Sequence, residues 1–162
     1  MGREIERKFV VTGEGWRKGA RRSRLSQGYL LAEKGKSARV RLEDGRGTLT
    51  IKGPSRGAGR AEYEYPIPAK DARELLRDLC EKPLIEKTRW RVRVRGLLWE
   101  IDVFGGANRG LVVAEVELRR PRQKIPLPAW AGREVTSDPR YLNANLFKKP
   151  YTSWAARRRS NK

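Results

Sequence analysis

Segment after segment of this chain alternates an apolar phase with an ionic one, and that rhythm constrains the fold more than any other feature. It recurs over residues 3–10, 37–43, 47–52, 61–67, 87–95, 98–104 and 111–119, and Gln27 to Leu31 resembles a further short strand. Alternate residues of a β-strand share a face, at steps of roughly 7 Å. Residues 37–43 set Ser37, Arg39, Arg41 and Glu43 against Ala38, Val40 and Leu42. Asp44-Gly45 then gives a turn signal. Residues 13–26 are polar, basic and Gly-containing, with Trp16 and Leu25 as candidate anchors, and Gly53 to Gly59 reads as a loop. Two helices interrupt the pattern. One covers residues 69–80, where Leu75, Leu76 and Leu79 have helical spacing. The other starts at Asp138-Pro139, a capping acid with proline in the first position, and runs to about residue 148. The end, with Arg157-Arg158-Arg159, reads as a frayed basic tail.

The ionic phases are selective in composition. One set of strands carries bases: Lys8, Arg39, Arg41, Lys52, Lys87 and Arg89. Another carries acid-x-acid pairs: Glu4 with Glu6, Glu62 with Glu64, Glu100 with Asp102, and Glu115 with Glu117. Two carboxylates on one face repel unless a cation lies between them, and Mg²⁺ or Mn²⁺ takes hard oxygen ligands. Lys8, in phase with Glu4 and Glu6, suits an anion bound beside that cation. A β-sandwich with its charges in water shares the same alternation. Repetition of the acid pair on four strands argues instead for a barrel or strongly curved sheet whose polar face turns inward. Arg91, Arg93 and Arg95 continue the basic phase and read as the solvated end of their strand. The apolar outer faces then need covering by the helices or by a second subunit.

Composition narrows the chemistry. The chain has 38 Lys plus Arg against 19 Asp plus Glu, a formal net charge of +19. Such an excess points to a polyanionic partner. There is no histidine, which removes imidazole acid–base catalysis and His-ligated zinc. Cys80 is the only cysteine. It excludes an intrachain disulfide and reads as an inert, half-buried thiol. The charged N-terminus lacks a signal-peptide core and no run is long enough to span a bilayer. Together these predict a cytoplasmic protein without a membrane partner.

The ordered set of motifs resembles the CYTH superfamily, the triphosphate tunnel metalloenzymes, in its compact bacterial form. The signature is Glu4, Glu6 and Lys8 within Glu-Ile-Glu-Arg-Lys-Phe. After it come Gln27-Gly28-Tyr29-Leu30, Arg39-Val40-Arg41, Thr50-Ile51-Lys52, Glu62-Tyr63-Glu64, Glu86-Lys87-Thr88-Arg89, Glu100-Ile101-Asp102 and Glu115-Val116-Glu117. Gly132 to Thr136, and Arg140-Tyr141 with Asn143, resemble the C-terminal part of that form.

The resemblance implies a mainly β fold: an eight-stranded antiparallel barrel around a polar tunnel, flanked by a few helices. It places one domain over residues 1–150, followed by a basic tail over 151–162. It implies a Mg²⁺- or Mn²⁺-dependent triphosphatase, with inorganic tripolyphosphate the favoured substrate. Thiamine triphosphate, nucleoside triphosphates and adenylyl cyclase chemistry stay open within the superfamily. By position, Glu4, Glu6, Glu115 and Glu117 are the metal ligands. Lys8, Arg39, Arg41, Lys52, Lys87 and Arg89 hold phosphate oxygens. Glu62, Glu64 and Asp102 orient the bases or reach metal through water. A homodimer is compatible. The rival reading is a non-catalytic polyphosphate- or RNA-binding module. Nucleic-acid binding, on the enzyme reading, is nonspecific at most.

Overall fold

A computed structural model describes residues 5–56 and 59–159. Nine strands make one antiparallel sheet: β1 (Glu6–Val11), β2 (Arg21–Glu33), β3 (Lys36–Glu43), β4 (Arg46–Arg56), β5 (Gly59–Ile67), β6 (Ile85–Val94), β7 (Leu97–Phe104), β8 (Val112–Glu117) and β9 (Ala131–Glu134). Their order is β5-β4-β3-β2-β6-β7-β8-β1-β9. Three helices accompany them: α1 (Ala69–Asp78), α2 (Asn143–Leu146) and α3 (Tyr151–Arg159).

The expected eight-stranded closed barrel is therefore corrected to a nine-stranded open sheet. β1 pairs with β8 on one side and β9 on the other, so its second edge is not free to meet β5. The ninth strand, Ala-Gly-Arg-Glu, is too short and mixed to show alternation. Gly132 is required there, because a Cβ would lie 2.7 Å from the Val10 carbonyl. β2 begins at Arg21, well before the short strand expected at Gln27 to Leu31. Both of its phases are polar at the start, Arg22 and Arg24 against Ser23, so no apolar rhythm marks it.

The ionic phases share the inner face. Cross-strand register sets Arg39 against Thr50, Thr50 against Glu64, Lys52 against Glu62, and Arg41 against Gln27. It also sets Arg89 against Asp102, Glu100 against Glu115, and Lys8 against Glu115. Directly opposed residues lie on one face of the sheet.

Two apolar layers cover the outer face. Helix α1 packs Ala72 and Leu76 against Val40, with Cys80 buried beside them. On the other half, Phe9, Trp99, Ile101, Ala114 and Val116 lie under Trp16 and Trp130. These two indoles come from the loops after β1 and β8, so loops do much of the covering expected of helices. Trp99 and Trp130 meet edge to face at 5.2 Å, a favoured aromatic geometry. Ile51, Tyr63 and Tyr65 stay exposed near the β5 edge.

A third cluster caps one end of the inner face. Tyr29, Ile85, Phe104 and Val113 meet Tyr141, Leu146 and Phe147 of the C-terminal segment, and the Tyr29 and Phe147 rings stack at 5.0 Å. Tyr151 and Trp154 of α3 pack against the same cluster. Helix α3, Tyr151–Arg159, thus lies within the stretch read as a basic tail.

The helix expected from Asp138 is broken. Asp138 does cap: its side chain accepts from the Arg140 N–H. Only a 3-10 turn, Pro139–Tyr141, follows before Leu142 adopts an extended conformation. Lys8 Nζ donates to the Tyr141 carbonyl at 3.1 Å, occupying an acceptor that a continuing helix would use.

Candidate active site

The inner face encloses a cavity of about 600 Å³. Glu6, Lys8, Arg39, Arg41, Lys52, Glu62, Glu64, Arg89 and Glu115 all line it. Acidic and basic strands thus converge on one space, with α2 adding Asn143 and Asn145 at the rim. Three described sequence candidates lie elsewhere. Lys87 and Asp102 are buried behind the lining. Glu117 is exposed, opposite Glu6 across the β1–β8 ladder. Glu4 lies outside the described residues.

Asp102 organises the basic wall. One of its oxygens meets Lys87 Nζ at 2.8 Å, and the Arg89 guanidinium engages both oxygens, at 2.8 and 3.0 Å. Burial alone would raise the Asp102 carboxyl, but Lys87 and Arg89 outweigh it and hold it well below the usual carboxylate range. Burial lowers the Lys87 ammonium to about 8, against the pull of Asp102. Lys87 also donates to Asn143 Oδ1 at 3.2 Å, tying β6 to α2. The Arg89 guanidinium lies above its ordinary value: burial works against its charge, and the Asp102 hydrogen bond and charge prevail.

Further pairs follow the same principle. Lys8 Nζ lies 3.1 Å from Glu115 Oε1. Burial would raise Glu115, and the charges of Lys8, Lys87 and Arg89 together more than offset it. Arg91 bonds Glu100 at 2.9 Å and Glu43 at 2.8 Å, and Ser23 Oγ donates to Glu43 at 2.6 Å. Arg91 and Glu43 both line the cavity, which corrects the reading of Arg91 as a solvated strand end. Its in-phase position after Lys87 and Arg89 already carried that signal.

β3 is different. Arg41 donates from Nε and Nη2 to one neutral acceptor, Gln27 Oε1, at 3.0 and 2.9 Å. Arg39 Nη2 meets Thr50 Oγ1 at 3.3 Å, and that hydroxyl donates to Glu64. Burial, reinforced by Arg39 and Arg89, lowers Arg41 to about 10, so it stays charged at neutral pH. Gln27 and Thr50 carry no charge, so the ionic alternation does not single them out as site residues. Asn143 and Lys148 reach the cavity from the C-terminal segment, where strand alternation gives no signal.

The donor set suits a hard divalent cation, since every acidic lining group is a carboxylate. Among the described residues no three acids form a ready cluster for a metal ion. Mg²⁺ needs none, because it binds through one or two carboxylates plus substrate phosphate oxygens and waters. A cavity with both signs of charge on facing strands therefore accommodates a polyphosphate anion together with its cation.

This fold and site place the chain in a defined class: it belongs to the CYTH domain family, whose model matches residues 2–151. An inorganic triphosphatase of Acetivibrio thermocellus is 50% identical over 154 residues, covering 95% of this chain and 99% of the relative. An inorganic triphosphatase of Nitrosomonas europaea is 36% identical over 151 residues, covering 88% and 95%. A crystal structure of an inorganic triphosphatase superposes with a TM-score of 0.67 at 34% identity, covering 91% of this chain and 95% of the other. No helix among the described residues is long and apolar enough to cross a membrane.

Proposed function

We propose that this chain hydrolyses a terminal phosphoryl group of inorganic tripolyphosphate with Mg²⁺ or Mn²⁺. The observation that carries the reading is the convergence of Lys8, Arg39, Arg41, Lys52 and Arg89 with Glu6, Glu62, Glu64 and Glu115 on one cavity. The names of the relatives at 50% and 36% identity support the same activity.

In this reading Arg39, Arg41 and Arg89 grip phosphate oxygens through their planar forks. Lys8 and Lys52 add point charges that stabilise the transferred and leaving phosphates. Lys87 acts from behind, with Asp102 fixing it and Arg89 in place. Glu6, Glu115 and Glu117, with Glu4, would hold a divalent cation, which supplies charge neutralisation on the phosphates and activation of water. Glu62 and Glu64 orient Lys52 and Thr50 from the opposite strand. A reducing cytoplasmic setting suits the single buried thiol, Cys80. Ile51, Tyr63 and Tyr65 offer an apolar surface on which a homodimer could form.

The test is a phosphate-release screen of tripolyphosphate, pyrophosphate, ATP and thiamine triphosphate with Mg²⁺ or Mn²⁺. Fastest release from tripolyphosphate, abolished by chelation, is the expected result. No release from any triphosphate with either ion would leave the binding-module reading in its place.

A further inference from the structure

We propose that Gln27 is a positioning residue: it holds the Arg41 guanidinium for a phosphate oxygen without neutralising it, and so makes the Arg39–Arg41 pair the primary anion-binding element of the cavity. The proposal rests on the phosphate-binding reading of that cavity. Five of the bases that line the cavity fall into two groups. Lys8, Arg89 and Arg91 each sit against a carboxylate at 3.1 Å or less. Arg39 and Arg41 instead lean on Thr50 and Gln27, two neutral acceptors.

The orientation of Gln27 is fixed by chemistry. An arginine has no acceptor, so the amide must turn its oxygen to Arg41. The other end of that amide, Nε2, is then buried with no hydrogen-bond partner, as is Arg39 Nε. Gln27 itself is 0% exposed. An unpartnered buried donor is unfavourable to the fold.

A glutamate of the same size would accept both Arg41 bonds with charge assistance and would leave no stranded amide. For stability alone, it is the better residue at this position. What glutamine adds is neutrality. The Arg41 charge is held in place yet remains available to an incoming anion, whereas that of Arg89 is already shared with Asp102. Thr50 does the same for Arg39, interposing a hydroxyl between that guanidinium and Glu64.

Calorimetric titration of inorganic tripolyphosphate in Ca²⁺, chosen to slow hydrolysis, tests this on wild-type protein, Gln27→Glu, Gln27→Met and Arg41→Ala, with melting temperatures alongside. A purely structural Gln27 ranks Gln27→Glu above Gln27→Met in both stability and affinity. The proposal reverses the affinity order. Gln27→Glu should melt no lower than wild type and bind at least about tenfold more weakly, a loss typical of residues that orient a binding group. Gln27→Met should melt lower and still bind more tightly than Gln27→Glu. Wild-type affinity in Gln27→Glu, or Gln27→Glu binding more tightly than Gln27→Met, overturns the proposal. If Gln27→Glu does not fold, Gln27→Met decides: a several-fold weaker affinity supports positioning and an unchanged one refutes it. Arg41→Ala separates the two levels. Unaltered binding there means the phosphate reading of β3 itself is wrong. Weak binding there, with wild-type affinity in Gln27→Glu, removes the role of Gln27 alone.

Discussion

Asp102 Oδ2 lies 2.8 Å from Lys87 Nζ, with the two side chains 1% and 0% exposed. Arg89 shares the same carboxylate. Removing one partner of a buried ion pair costs about 3–5 kcal/mol, because the other is stranded. Asp102→Asn strands two cations. Urea unfolding should show a loss of at least that size, with the denaturant slope unchanged.

Glu6 and Glu117 face each other across the β1–β8 ladder, and neither belongs to the apolar layers. Glu6→Gln and Glu117→Gln should abolish divalent-dependent turnover and leave the melting temperature close to wild type. Near-normal rates in both at saturating Mg²⁺ would remove the metal-ligand assignment.

Bases outnumber acids in the cavity lining, so a bound polyanion with its cation should stabilise the fold. At a ligand concentration 100 times the dissociation constant, mass action gives about 2.7 kcal/mol. Thermal melts with tripolyphosphate and Ca²⁺ should shift upward and keep rising with the logarithm of ligand concentration. A flat response at millimolar ligand would argue against a preformed phosphate site.

Asp102, Glu115 and Glu43 are all held below their ordinary values of 3.8, 4.5 and 4.5: burial opposes the charged form in each, and Lys87 with Arg89 at Asp102, Lys8 with Lys87 and Arg89 at Glu115, and Ser23 with Arg91 at Glu43 prevail. Groups depressed in the folded state contribute stability above their unfolded pKa and lose it as pH falls through the folded one. The urea midpoint should therefore decline steeply below about pH 4.5. In Asp102→Asn the acid slope should be shallower, because one of the three groups no longer titrates.

Arg93, Arg95, Arg119 and Arg120 are exposed outside the cavity. With 38 basic residues in all, single-stranded oligonucleotides should bind at low salt through counterion release and dissociate steeply as salt rises. Tripolyphosphate hydrolysis should fall less, since the enclosed site is shielded from screening. Tight oligonucleotide binding at physiological salt, with no triphosphate hydrolysed, would favour the binding module.

Alternation by itself placed Arg39, Arg41, Lys52, Glu62, Glu64, Arg89 and Glu115 on the ionic faces of their strands, because the strand period of two leaves a side chain no other choice once its neighbours are apolar, and the repeated acid pairs argued that those faces turn inward. The lack of histidine and the acid-x-acid repeats likewise restricted the chemistry to carboxylates, bases and a hard cation. Only the tertiary structure decided that the sheet stays open with a ninth strand, since closure depends on which edge β1 offers and not on any local pattern. It also decided that the cavity end is filled by Tyr141, Leu146 and Phe147, whose segment carries no strand rhythm. And it separated Arg41 on a neutral glutamine from Arg89 on a carboxylate. Those partners lie on neighbouring strands 14 and 13 residues away, a pairing set by register, which no spacing within a single strand records.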